Sequence, residues 1–290
     1  MLVAATVLSY PPVRLSLLTL ARRSSGCSLS EALRGSKDLR RAREFQDRFR
    51  AASRLVEKDP AGFHLWETPK GRFWAPERDH AFLIHSLAEQ ETKIYGAGEW
   101  GVRAGDIVLG CGAHVGTYTL AALEAGARLV VAIEPAPENL ECLRRNLSSQ
   151  VAAGTVVLCP KGVWDKDDSL TLYASSDDSA GDSVALRYPG SRPTRQVPLT
   201  PIDKLVAELK LARVDFIKMD IERAEERTLL GSRQTLSKYK PRLAIAAEHR
   251  RDDPERIPEV VRSLRSDYRM GCSFCRDLRT RIRPQVLCFR

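Results

Sequence analysis

Two patterns of apolar residues divide the chain near residue 105. Before it, apolar side chains recur every three or four positions across 39–56, with arginines filling much of the remainder, and this spacing predicts an amphipathic helix. Two aromatic runs, 63–66 and 72–74, then flank the turn sequence 68–71, which predicts a β-hairpin. After residue 105, short apolar runs alternate with helical stretches, and this alternation is typical of parallel βαβ units.

The alternating part of the sequence predicts individual elements. The expected strands are Asp106–Leu109, Leu129–Ile133, Thr155–Leu158, Val214–Met219 and Arg242–Ala247. The expected helices are Thr117–Ala125, Pro137–Leu147, Pro201–Leu209 and Ile257–Leu264. The tail from Tyr268 to Arg290 is expected to add a closing antiparallel pair that ends in Val286–Phe289.

Composition places the chain among ordinary globular proteins. Hydrophobic residues make up 43% and charged residues 29% of the 290, which excludes disordered, collagenous and membrane-embedded classes. The net charge of +9 lies at the two ends, because residues 1–60 hold 12 basic against 6 acidic side chains and residues 249–290 hold 11 against 6. We interpret these ends as solvated arginine-rich faces. The alternatives are an acidic substrate, weak peripheral contact with an anionic membrane and, less favoured, nucleic acid.

The seven cysteines do not suggest a disulfide framework, since their number is odd. Cys111, Cys142 and Cys159 fall inside apolar segments, where a free thiol packs as a small hydrophobic group. Cys272 and Cys275 form a single C-x-x-C motif without a second ligand pair at a spacing that suits zinc. We therefore expect no bound metal.

The apolar start of the chain has only some features of a signal peptide. No positive charge precedes the run, Pro11 and Pro12 interrupt it, and Arg14 follows. A membrane span needs about 20 uninterrupted apolar residues, and the sequence contains no such run. The expected compartment is the cytoplasm.

Candidate ligand contacts follow the first two predicted strands, because ligands of open α/β sheets bind beyond the carboxyl ends of the strands. Residues 110–116 read G-C-G-A-H-V-G, one residue longer than the dinucleotide fingerprint, which disfavours a nicotinamide-linked oxidoreductase. Glu134 ends the second strand, where a carboxylate can accept hydrogen bonds from ribose hydroxyls, the alternative being a solvated helix cap. Together they favour a phosphate-free adenosine ligand such as S-adenosylmethionine.

A third group of charged residues follows the fourth predicted strand. Asp220, Glu222 and Glu225 come directly after the apolar run Val214–Met219. A carboxylate at the tip of a central strand is poorly placed for simple solvation, which favours a position facing a ligand or a catalytic cleft.

These segments together resemble the FkbM family of S-adenosylmethionine-dependent methyltransferases, chiefly O-methyltransferases. The residues that carry the resemblance are Gly105–Thr119, Glu134-Pro135, Asn139, Asn146, Val214–Glu225 and Arg242–Glu248. The resemblance implies a class I methyltransferase fold, an α/β, Rossmann-like, doubly wound and mostly parallel seven-stranded sheet with an antiparallel last strand. It divides the chain into a basic helical N-terminal extension, 1–60, a hairpin and helix lead-in, 61–104, and an S-adenosylmethionine-binding methyltransferase domain, 105–290.

The resemblance also implies which residues hold the cofactor. Gly112 and Gly116 would lie against its methionine portion, Glu134 would bind its ribose, and the segment 162–164 would lie near its adenine. Tyr95 and Glu89 would help to cover it. The candidate cofactor contacts are Gly110, Gly112, Ala113, His114, Gly116, Thr117, Glu134, Pro135, Gly162, Val163 and Asp220.

The methyl acceptor implied by the resemblance is a hydroxyl group on a small molecule, a sugar or a lipid. Such a hydroxyl has to lose its proton, and Asp220, Glu222 and His249 are the candidate catalytic residues, with Glu248 beside them. We expect Asp220 to be the most important, either as the base or as the group that positions the hydroxyl.

Two positions depart from the family pattern. Gly110 stands where the family usually has Asp, and Arg223 stands where it usually has Gly. These departures keep open a second hypothesis, a relic that binds the cofactor but has lost turnover. A third, an RNA methyltransferase, is suggested by the basic ends and disfavoured because the turn after residue 219 lacks the prolines of amino-directed enzymes.

Overall fold

A computed structural model describes residues 11–175, 178–185, 187 and 189–290. Residues 1–10 of the expected N-terminal extension and of the apolar start lie outside the described residues, as do 176, 177, 186 and 188. The helices are α1 (Pro11–Leu20), α2 (Leu29–Ala52), α3 (His80–Glu91), α4 (Thr117–Glu124), α5 (Pro137–Asn146), α6 (Ser148–Ala152), α7 (Ile202–Glu208), α8 (Glu225–Leu230), α9 (Arg233–Tyr239) and α10 (Asp253–Leu264). The strands are β1 (Arg54–Asp59), β2 (Phe63–Thr68), β3 (Gly71–Pro76), β4 (Ile107–Cys111), β5 (Leu129–Ile133), β6 (Val156–Cys159), β7 (Gly162–Val163), β8 (Asp168–Ala174), β9 (Arg192–Thr200), β10 (Phe216–Met219), β11 (Arg242–Ala246), β12 (Met270–Ser273), β13 (Arg276–Asp277), β14 (Ile282–Arg283) and β15 (Val286–Phe289).

Seven strands form the central sheet in the order β12-β15-β11-β10-β4-β5-β6. The strands from β11 to β6 pair in parallel, whereas β15 runs antiparallel to both of its neighbours. Every residue of β4, β10 and β11 is buried, because helices pack their apolar side chains on both faces of the sheet. The arrangement confirms the expected doubly wound sheet with an antiparallel last strand.

The hairpin and the long N-terminal helix can be compared with the predictions made for the residues before 105. The hairpin is confirmed, since β2 and β3 pair antiparallel and close between Thr68 and Gly71. The helix expected over 39–56 is correct at its centre and wrong at both ends, because α2 begins at Leu29, ten residues before the expected start, and ends at Ala52, four residues before the expected end. Val56 belongs to β1, which joins the hairpin as a third strand, and its place in the helical pattern is coincidental.

One disulfide bond joins Cys27, which precedes α2, to Cys275 near the C-terminus. The expectation that the cysteines form no disulfide is wrong for this pair. The two cysteines are separated by 248 positions, so neither local spacing nor the odd total could reveal that the fold brings them together. The other buried thiols behave as expected, because Cys111, Cys142 and Cys159 are free and buried.

A small second sheet, in the order β7-β9-β8, covers one side of the site. An isolated bridge ties Ser183 to Tyr173 of β8, and the Ser183 hydroxyl donates to the Glu222 carbonyl oxygen at 2.8 Å. These contacts bring the segment 178–185 to the carboxyl ends of the central strands, where it forms one wall of a cavity. No helix in the described ranges has both the length and the apolar character to cross a bilayer.

Candidate cofactor and acceptor site

A cavity opens where β4, β5 and β10 end, at the edge of the sheet that the sequence pattern indicates. Its free volume is about 100 Å³, and since one water takes roughly 10–15 Å³, it holds several water-sized groups in a row. The predicted residues that line it are Gly112, Ala113, His114, Thr117, Glu134, Pro135, Gly162, Val163, Asp220 and Glu222, with Tyr95 and Glu89. Gly110, Gly116 and His249 lie beside it without lining it.

The three glycines of the segment 110–116 differ in whether the backbone requires glycine at their position. Gly112 has a φ of +76°, and a Cβ there would collide with the backbone oxygen of Asp220. Gly116 has a φ of +99° and precedes α4, where a Cβ would press on Leu143 at 2.9 Å. Gly110 lies inside β4, and a Cβ would meet the ring of Tyr118 at an ordinary 3.7 Å. Glycine is therefore required by the backbone at 112 and 116 but not at 110.

Glu134 is buried, with its carboxylate at the cavity. One oxygen accepts the backbone N–H of His114 at 2.8 Å, and the other accepts the N–H of Ala136 at 2.9 Å. Burial raises the pKa of Glu134, partly opposed by these two backbone hydrogen bonds. A carboxylate has about four lone-pair positions, so Glu134 keeps acceptor capacity for a ligand hydroxyl. Glu134 accepts the N–H of the residue that precedes α5, but it is not the solvated helix cap of the alternative interpretation, because it is buried and makes no cap hydrogen bond to the first turn.

His114 anchors a buried polar network on the other side of the same turn. Its Nε2 lies 3.0 Å from Asp79 Oδ2 and 3.0 Å from Ser179 Oγ. Ser179 also contacts Asn139, and its backbone N–H donates to Asp79 at 2.8 Å. Within the described parts of the chain, His114 Nδ1 is buried without a hydrogen-bond partner. The ring is thus held through one nitrogen, while the other has no partner among the described residues, in a side chain that lines the cavity.

Asp220 follows β10 and lies among hydrogen-bond donors. The Tyr95 hydroxyl donates to its Oδ2 at 2.5 Å, Lys218 Nζ lies 3.7 Å away, and His249 Nε2 lies 3.3 Å from its Oδ1. Burial would raise the pKa of Asp220, but Lys218, His249 and Tyr95 together hold it well below its usual range. The carboxylate is therefore ionised and a weak proton acceptor.

His249 lies at the centre of three carboxylates. Its Nε2 is 3.2 Å from Glu222 as well as close to Asp220, and its Nδ1 is 3.0 Å from Glu225. Burial would lower the pKa of His249, yet the three carboxylates raise it well above its ordinary value. The raised pKa favours the protonated, imidazolium form of the ring. One ligand atom each of Asp220, Glu222 and His249 lies within 4.8 Å of the other two, a grouping that could also hold a metal ion.

The acidic turn has unusual backbone geometry. Glu222 and Arg223 adopt positive φ values of +54° and +77°, in the region that glycine tolerates best. The Arg223 side chain does not pair with Glu222 or Glu225, because its Nε donates to the carbonyl oxygen of His249 at 3.0 Å. This bond links the turn after β10 to the end of β11 and offsets part of the strain.

Asp182 is a further cavity residue that sequence reasoning missed. It accepts the Ser175 N–H at 2.8 Å and lies 3.5 Å from Arg78. Burial raises the pKa of Asp182 to about 7, because these partners offset only part of the desolvation. Asp79, Ser179 and Asp182 lie in turns and in an irregular segment, where no motif or periodicity marks them.

The order and directions of the central strands are those of the class I methyltransferase fold. The family model described as "Methyltransferase FkbM domain" matches residues 110–270, which is more than half of the chain. The chain therefore belongs to the FkbM methyltransferase family, as the resemblance implied.

Two known proteins illustrate the relationship. The 31-O-demethyl-FK506 methyltransferase FkbM of Streptomyces tacrolimicus is 25% identical over 157 residues, which is 45% of this chain and 60% of that protein. The crystal structure of methyltransferase FkbM from Methylobacillus flagellatus KT superposes with a TM-score of 0.51 at 20% identity, covering 88% of this chain and 59% of the other. The chain thus spans about three fifths of the length of these relatives. The second likeness concerns the fold alone.

Proposed function

We propose that this chain is an S-adenosylmethionine-dependent methyltransferase that acts on a hydroxyl group of a small molecule, sugar or lipid. The observation that carries the proposal is that one cavity is lined both by Glu134, a buried carboxylate with spare acceptor capacity, and by His114, whose Nδ1 has no hydrogen-bond partner among the described residues. Family membership supports the methyl-transfer chemistry, and the name of the Streptomyces relative supports a hydroxyl acceptor.

The residues at the cavity fit this cofactor. Glu134 offers acceptors for ribose hydroxyls, and His114 offers a fixed ring nitrogen to a further polar group. The glycine at position 112 lets the turn after β4 pass close to the backbone of Asp220, which keeps these two strand ends together at the cavity. The cofactor supplies an already activated methyl group, so the protein contributes mainly alignment and the exclusion of water.

On the acceptor side, we assign positioning and not proton abstraction to the charged group. Asp220 is ionised with a lowered pKa, which makes it a strong hydrogen-bond acceptor and a weak base. An acceptor hydroxyl that takes the place of the Tyr95 hydroxyl on Asp220 would be held in a fixed orientation. Glu222 and His249 then stabilise that carboxylate and its turn.

Calorimetry with S-adenosylmethionine and its demethylated product tests the cofactor assignment. Because charge-assisted contacts to the ribose would be lost, we expect Glu134→Gln to weaken binding by about tenfold or more. Glu259→Gln, in which an exposed carboxylate of α10 is changed, is the matched control and should bind as the unchanged protein does. Equal affinity of Glu134→Gln and the control would contradict the assignment.

The cofactor-binding relic is the second candidate, favoured by positions 110 and 223. Gly110 is not required by the backbone, and Arg223 occupies a φ of +77° that glycine would adopt with less strain. Binding without methyl transfer to hydroxylated sugars, lipids or polyketides would identify a relic. In that case Gly110→Asp combined with Arg223→Gly should restore transfer, whereas a competent chain should transfer methyl groups without them.

A further inference from the structure

A second polar pocket lies between the N-terminal segment and the β13–β14 hairpin. It is lined by Arg22, Arg23, Ser25, Thr280 and Arg281, and its free volume is about 270 Å³. None of these residues lines the cavity at the ends of β4, β5 and β10. The pocket therefore presents its own chemistry, which methyl transfer does not use.

The pocket is held by contacts between segments more than 250 positions apart. Ile282 donates its N–H to the carbonyl oxygen of Arg23 at 2.8 Å and accepts the N–H of Ser25 at 3.0 Å. The Cys27–Cys275 disulfide joins the same two segments covalently. The three arginines are thus carried on backbone that is paired and cross-linked, which limits how far they can move apart.

The charges in the pocket are not balanced by the protein. Arg22 and Arg23 are exposed and Arg281 is half-buried, and none of the three has a carboxylate partner in the part of the chain that the structure describes. The nearby carboxylate, Asp277, already accepts a hydrogen bond from Arg14 Nε at 2.7 Å. Three like charges held around one concavity repel one another, and a bound anion relieves that repulsion.

Arginine also sets the class of anion. The planar guanidinium presents parallel N–H donors that match the oxygens of a phosphate or sulfate group. The hydroxyls of Ser25 and Thr280 add donors of the kind that complete such a site. We propose that this pocket binds a phosphate-type oxyanion. Leu20, at the end of α1 and 81% exposed, lies two positions before Arg22, so an anionic lipid headgroup is the favoured source of that oxyanion.

Binding of two probes to the full chain tests the proposal. The first is inorganic phosphate, followed by calorimetry at low ionic strength. The second is a phosphatidylcholine vesicle containing phosphatidylinositol 4-phosphate, followed by sedimentation against pure phosphatidylcholine. We expect the triple variant Arg22→Ala/Arg23→Ala/Arg281→Ala to weaken binding by about tenfold or more, with methyl transfer and thermal stability unchanged.

The matched control removes the same net charge elsewhere. Arg128→Ala/Arg233→Ala/Arg262→Ala changes three exposed arginines outside the pocket and should bind both probes as the unchanged protein does. Binding of phosphate alone assigns the site to a soluble phosphate-bearing ligand, and binding of the vesicle assigns it to a lipid headgroup. Absence of binding to both probes, or an equal loss in the control variant, would overturn the proposal.

Discussion

The two sides of the main cavity differ in how their polar groups are stabilised. On the side of Glu134 and His114, backbone N–H groups and buried hydroxyls hold the functional groups, and His114 Nδ1 has no hydrogen-bond partner within the described ranges. On the side of Asp220 and His249, the charges satisfy one another within a compact cluster. The first side therefore has hydrogen-bonding capacity left for a ligand. The second side uses its charges to hold its own structure.

Removal of the imidazolium should have the largest effect. His249→Ala leaves three carboxylates near one another without their shared cation, and we expect a loss of about 3–5 kcal/mol in the free energy of unfolding, measured with urea. His249 stabilises the fold fully below its unfolded pKa of about 6.5, and this contribution is lost as pH rises through the raised folded pKa. The variant should lack that high-pH loss. His85→Ala, at a half-exposed ring, is the control, and similar curves for both variants would remove the distinction between the two sides.

A change in the network around His114 should lower the stability of the fold less than His249→Ala does, but it should weaken binding of S-adenosylmethionine. Asp79→Asn removes a buried charge that holds both the ring and Ser179, and we expect a loss of about 2 kcal/mol in the free energy of unfolding. Binding of S-adenosylmethionine should also weaken, because the ring is no longer held in one orientation. Asp47→Asn, at an exposed position of α2, controls for charge. Unchanged affinity in Asp79→Asn would show that the ring orientation does not matter.

The pH dependence of Asp182 tests the same side in a different window. Its folded pKa of about 7 lies above the unfolded value of 3.8, so the folded state binds this proton more tightly and stability falls as pH rises from about 4 to about 7. In Asp182→Asn, the free energy of unfolding should decrease between pH 5 and pH 8 by roughly 1–2 kcal/mol less than it does in the unchanged protein. Unfolding with urea at both pH values measures this difference. A pH-independent difference would place the titration at another group.

The Tyr95 hydroxyl should have the smallest effect. Tyr95→Phe removes one donor to Asp220, but Lys218 and His249 remain beside the carboxylate, so we expect a loss of about 1 kcal/mol or less in unfolding experiments. A loss above about 3 kcal/mol would mean that this hydroxyl, and not the cationic pair, keeps Asp220 in place. The two sides would then be less different than the contacts indicate.

The sequence predicted the parts of the molecule whose pattern is local. The strand Leu129–Ile133 matches the structure at both ends, because a strand buried on both faces is a continuous apolar run between turn residues. Asp220, Glu222 and His249 do come together, since the carboxyl ends of neighbouring parallel strands meet. Their roles toward ligand stay predictions.

Long-range contacts decided what could not be predicted. Asp79 and Ser179 lie 35 and 65 positions from His114, in short turns without a motif, yet they fix its ring. The choice left open for Asp220, between a base and a group that positions the hydroxyl, could not be made from local sequence either, because Lys218 and His249 lower its pKa. A charged residue at a strand end therefore indicated where the site lies, whereas the side chains around that residue determine its protonation state.

The bond between Cys27 and Cys275 turns most of the polypeptide into a covalent ring. A single proteolytic cut inside that ring would leave both fragments attached, and they would separate on a gel only after reduction. Bonds of this kind are maintained in oxidising surroundings and are rare where glutathione keeps thiols reduced. The expected cytoplasmic location is therefore open to a direct test, since protein recovered from its native compartment will carry this link or lack it.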